Sequence, residues 1–165
     1  MTRAVIAMAA VLAPLLTFAG SAWADGIASS IVGGWKVISL TTKEVVTGKT
    51  DQPYGARPGG YRIFTHGGLV MSLLVAENRN VAGGYYTNNF DRAQLFRSMS
   101  AWSGTYKVDG NKIVVVADAA WNPSWLGREY FVEINGNKLT MTSAPFESWR
   151  SGQKVVGVVT LERVE

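Results

Sequence analysis

Gly33-Gly34-Trp35-Lys36-Val37-Ile38-Ser39-Leu40-Thr41-Thr42 is the stretch that decides the fold: two glycines release an apolar, alternating, β-branched run with no helical spacing. Short runs of the same kind follow it almost to Arg163, each divided from the next by a tight-turn signal. Trp35–Thr42, Tyr61–Thr65, Leu69–Ala76, Trp102–Val108, Lys112–Ala120, Arg128–Ile134, Lys138–Ser143 and Val155–Arg163 are the eight strand candidates. Thr65-His66-Gly67-Gly68 joins the second to the third, and Asp109-Gly110 and Asn135-Gly136 join two later pairs. Such dipeptides favour type I′ turns, whose twist matches paired strands. The expectation is an all-β fold, a single antiparallel up-and-down barrel of eight strands.

Two longer connections interrupt the series. Thr47–Gly60 carries Pro53, Pro58 and several glycines and reads as a loop. In Asn88–Met99, Phe90, Ala93, Leu95 and Phe96 recur near helical spacing, with Asn89 or Asp91 placed to cap, so one short helix is expected. A lid over one barrel end and a helix packed flat on the outer wall both satisfy that pattern.

The first residues read as an export signal rather than as part of the fold. One basic residue, Arg3, precedes an apolar run from Ala4 to Gly20, and Ala22-Trp23-Ala24 offers small residues at the positions a signal peptidase reads. Residues 1–24 are expected to be removed as a signal peptide, leaving 25–165 as one barrel domain. A periplasmic or secreted bacterial protein follows, with no stable membrane insertion after cleavage. The absence of cysteine fits that compartment, since a domain of this size buries enough surface without disulfides. A net charge of +4, spread singly along the chain, argues for solubility and against a nucleic-acid partner.

Alternation then assigns the interior. Trp102, Gly104, Tyr106 and Val108 share one face of their strand, and Tyr130, Val132 and Ile134 share one face of theirs, while Glu129 and Glu133 take the other. The lining reads as aromatic and aliphatic. Eight strands enclose a space that is either filled by side chains or large enough for one small ligand. Inward glycines at Gly104 and Gly157 favour room inside, although strand glycines also mark bends.

Four features in order give the chain a family resemblance: Gly33-Gly34-Trp35; Gly60-Tyr61 running into a glycine turn and Met71; Trp102-Ser103-Gly104-Thr105-Tyr106; and Pro123-Ser124-Trp125-Leu126-Gly127. From Gly33 almost to the end the chain resembles the bacterial and fungal lipocalin-like domain family of the calycin group. The resemblance implies that Trp35 packs across the closed barrel end against Arg163, a structural cation–π pair. It also implies departures. Relatives often carry a histidine in the strand occupied here by Ile113-Val114-Val115-Val116 and an arginine in the strand of Tyr130-Phe131-Val132. They often place an aromatic where Leu161 stands. Loss of such polar residues makes the interior better suited to an apolar guest.

Catalytic signals are few. His66 is the single histidine and sits in a glycine turn, so neither a metal centre nor a nucleophile–base pair is expected, and no catalytic residue, metal or cofactor is assigned. Trp121 and Trp125 flank Asn122-Pro123-Ser124 where a barrel mouth is expected, either as recognition aromatics or as a local core cluster. The candidate ligand contacts are Tyr61, Met71, Trp102, Tyr106, Trp121, Trp125, Tyr130 and Met141. The leading function is binding of a small apolar or amphipathic molecule. Two alternatives stand beside it: a cofactor-free cyclase or isomerase using one or two of Tyr61, Tyr106, Asp118 and Tyr130, and an interaction or inhibitor module of the cell envelope. Oligomeric state is not encoded in any of these features.

Overall fold

The computed structural model describes residues 22–79 and 88–165. Its elements are α1 (Ala22–Ser30), β1 (Gly33–Glu44), β2 (Thr50–Asp51), β3 (Gly59–Phe64), β4 (Leu69–Val75), α2 (Asn89–Arg97), β5 (Met99–Asp109), β6 (Lys112–Ala120), β7 (Gly127–Asn135), β8 (Lys138–Ser143), β9 (Phe146–Glu147) and β10 (Lys154–Arg163). Eight long strands pair in the antiparallel order β1-β3-β4-β5-β6-β7-β8-β10, and β10 pairs back onto β1 to close the barrel. The two-residue strands β2 and β9 add to β1 and β10 at one rim. The closed eight-stranded barrel is therefore the expected one, with β2 arising inside the stretch read as a loop.

Local chemistry explains the differences in detail. Gly110 and Gly136 occupy the first central positions of their two-residue turns at φ 61° and 59°, while the asparagines that follow stay out of the left-handed region. That is the type II′ arrangement, not the I′ turn expected, and it moves each turn one residue along the chain. Asn88, rather than Asn89 or Asp91, caps α2: its side chain accepts the Asp91 amide at 2.9 Å. The expected span ran to Met99, but Met99 already pairs with Val75 as the first residue of β5. A second helix, α1, was not anticipated. It leads directly into Ile31, which is fully buried.

Up-and-down topology sorts the inward side chains by height. The start of β1 lies beside the ends of β3 and β10, so Trp35, Phe64, Tyr106, Ile113, Val132, Leu139 and Leu161 all meet at one end and fill it. Trp35 donates its indole N–H to the Ile31 carbonyl at 2.7 Å, and the Arg163 guanidinium lies 4.2 Å over its ring. Arg163 also donates to the Val32 carbonyl at 2.9 Å and to the Ser30 carbonyl, tying the entering chain to the last strand. The opposite half of the barrel is not filled.

The outer wall of β3 and β4 is unusual. Tyr61, Ile63, Leu69, Met71 and Leu73 project to solvent, while Arg62 and Ser72 point inward. Apolar residues occupy both faces of these strands, so alternation alone does not say which face is inside.

Candidate ligand cavity

The unfilled half of the barrel is a cavity of about 350 Å³, within the range of small-molecule sites. Gly157 lines it: a Cβ there would meet only ordinary contacts at 3.6 Å, so this glycine leaves room. Gly104 does not serve that purpose. It sits at a bulge where a Cβ would fall 2.0 Å from the Val116 carbonyl oxygen, and its role is the close approach of β5 to β6.

Arg62, in β3, forms part of the cavity floor. It is 6% exposed; its Nε donates to Ser72 Oγ at 3.3 Å and its Nη1 to Met141 Sδ at 3.0 Å. Trp102 from β5 and Tyr130 from β7 flank the guanidinium, with ring centroids 5.1 and 5.5 Å from Cζ. Trp125 stacks on Trp102 with centroids 4.3 Å apart. It is delivered there by the turn that sequence singled out: the Trp125 amide donates to the Asn122 carbonyl at 3.0 Å, and the Asn122 side chain accepts the Ser124 amide at 3.0 Å. Arg128, one inward position closer to the mouth than Tyr130, lies 5.7 Å from the Trp125 ring and 3.5 Å from the Phe146 ring.

Arg62 and Arg128 are the cations beside the stacked tryptophans, and Glu44, Lys49, Asp51 and Arg150 also line the cavity. Neither Arg62 nor Arg128 makes an ion pair among the described residues, and Arg128 Nε is buried with no hydrogen-bond partner. Burial pushes Arg62 below the usual guanidinium range; Tyr130 opposes that effect, and the like charge of Arg128 reinforces it. Burial also lowers Arg128, again against the influence of Tyr130. Both stay charged, since arginine does not lose its proton in proteins. An uncompensated buried charge costs several kcal/mol, whereas each aromatic contact returns about 0.5–2 kcal/mol. The lining as a whole sets Glu44 and Asp51 against Lys49, Arg62, Arg128 and Arg150, so positive charge is in excess.

Aromatics gather at the rim. Phe96 from α2 lies 5.6 Å from Trp121 and 6.5 Å from Trp149, and the Trp121 indole donates to the Phe96 carbonyl at 3.1 Å. Arg150 stacks 4.7 Å over Tyr54 and 4.9 Å over Trp149, and donates to the Arg97 carbonyl. The C-terminal end of α2 therefore meets the mouth rather than the middle of the outer wall, while no residue of the helix is buried.

The structure brings Trp102, Trp121, Trp125 and Tyr130 of the candidate contacts into the cavity wall. Met141 lies beneath the floor as the acceptor of Arg62. Tyr106 belongs to the filled end, where its ring meets Phe64 edge-on at 5.1 Å, its hydroxyl donates to the Thr65 carbonyl at 2.8 Å, and burial raises its phenol pKa. Tyr61 and Met71 are corrections: they are 49% and 59% exposed on the outer wall, because parity in β3 and β4 turns Arg62 and Ser72 inward. Asp118 accepts from Ser103 at 2.9 Å on the outside and is exposed, and His66 is exposed in its turn. Of the four groups named for an enzyme, only Tyr130 lines the cavity. Arg62 and Arg128 also correct the reading of a purely aromatic and aliphatic interior. Arg128 shares the parity of Tyr130 and Val132 and was open to the same alternation argument.

A search of curated proteins finds no match to the chain. A family model described as a lipocalin-like domain matches residues 32–164, which takes in every strand of the barrel and both arginines of the cavity. The chain belongs to the lipocalin-like domain family.

Proposed function

We propose that the protein is a container for one small amphipathic molecule, held in the open half of its barrel. The observation that carries this reading is the cavity itself: about 350 Å³ with an aromatic wall of Trp102 and Trp125 on one side and buried polar groups on the floor. Such a lining suits a guest with an apolar body and one polar end. A hydrophobic fluorescent probe is expected to bind the folded protein with 1:1 stoichiometry and to quench tryptophan emission, because Trp102, Trp121, Trp125 and Trp149 all face the cavity. Gly157→Phe, which places a ring in the empty space, should abolish binding while leaving a folded barrel. Equal binding by this variant would rule the cavity out as the site.

The container works outside the cytoplasm in this proposal, as the N-terminal segment suggests. Cutting after Ala24 spares the contacts that hold the closed end, since Ser30, Ile31 and Val32 supply the carbonyls bound by Arg163 and Trp35. N-terminal sequencing of exported protein should begin at Asp25; a chain starting at Met1 or Thr2 would refute the processing.

A further inference from the structure

We propose that Arg62 and Arg128 form a carboxylate-binding subsite, so that the guest is an amphipathic acid whose carboxylate sits between the two guanidiniums and whose apolar body lies against Trp102 and Trp125. This rests on the container reading and names the chemistry of its guest.

The geometry points there by several routes. Arg62 and Arg128 come from different strands yet line one cavity, bracketed by the stacked pair Trp102 and Trp125: Arg62 over the first ring, Arg128 by the second. Neither has an acidic partner among the described residues, and the two ion pairs seen there, Arg57 with Glu77 and Lys112 with Glu129, involve neither. Arg128 Nε is a buried donor with no acceptor among the described residues. Buried polar groups in folded proteins are almost always satisfied, so an orphan of this kind calls for an acceptor. Arg62 donates through Nε to Ser72 and through Nη1 to Met141 and has the Tyr130 side chain as a further electrostatic partner, which fixes the guanidinium plane at the cavity wall. The planar, two-oxygen shape of a carboxylate matches the paired N–H donors along a guanidinium edge. The stacked indoles beside them give an apolar body its place.

The test compares ligands of one chain length on the full folded protein: dodecanoate, methyl dodecanoate, 1-dodecanol and dodecyl phosphate, each titrated below its micellar concentration at neutral pH and read by calorimetry and tryptophan quenching. Dodecanoate should bind at least about tenfold tighter than the ester and the alcohol, the scale of a charge-assisted hydrogen bond. Arg62→Gln and Arg128→Gln should each weaken dodecanoate by about tenfold while shifting the alcohol by no more than about twofold. Should either variant fail to fold, the acid-to-ester ratio of the unaltered protein still decides. Equal affinity for acid and alcohol would overturn the subsite and leave the container standing. Tighter binding of dodecyl phosphate would overturn the carboxylate assignment, and failure of all four ligands would overturn container and subsite together.

Discussion

Trp35 and Arg62 show how single residues divide this barrel into a stability half and a binding half. Trp35 is fully buried, hydrogen-bonded to Ile31 and covered by Arg163. Trp35→Ala should lower the free energy of unfolding by roughly 3–5 kcal/mol, the usual loss for a buried large aromatic, and chemical denaturation measures it. A loss under about 1 kcal/mol would contradict the packing described. Tyr61 was expected among the ligand contacts, and Arg62 takes the inward place instead. In Gly59-Gly60-Tyr61-Arg62-Ile63-Phe64 both parities carry an aromatic, so the pattern of period two has no contrast. What turns Arg62 inward is satisfaction: Ser72, Met141 and two aromatic faces are waiting there. Those partners come from other strands and cannot be seen in β3 alone.

At the scale of elements, the hairpins were legible because turn chemistry is local, and all eight long strands fall within a few residues of their expected bounds. The height of each inward residue was not read from the sequence, since Tyr106 was expected beside Trp102 among the ligand contacts and lies at the filled end instead. β5 runs from the mouth to the closed end, so Trp102 must line the cavity and Tyr106 the plug, although alternation places both inside. Gly104 between them is the bulge that lets β5 and β6 approach. Gly104→Ala would force a Cβ against the Val116 carbonyl and should cost about 1–3 kcal/mol, as overpacking does; thermal unfolding reads the loss. An unchanged midpoint would mean that the bulge relaxes without cost. α2 was found by its spacing, but its place at the mouth depends on Trp121, Trp149 and Arg150, which lie far along the chain.

The whole molecule is a barrel plugged at one end and open at the other, with a closed sheet that leaves no long edge strand and a cavity in which Arg62 and Arg128 make no ion pair among the described residues. Folding to this state retains a cost, an uncompensated charge in a half-empty barrel, that occupancy by a guest would relieve. The most direct measurement of that central claim is native mass spectrometry of the folded protein purified from its own host, beside Gly157→Phe prepared in the same way. The account predicts one small-molecule adduct per chain on the unaltered protein, released on denaturation, and a bare mass for the variant. Bare masses for both, in samples shown to be folded and stripped of nothing during purification, would contradict it.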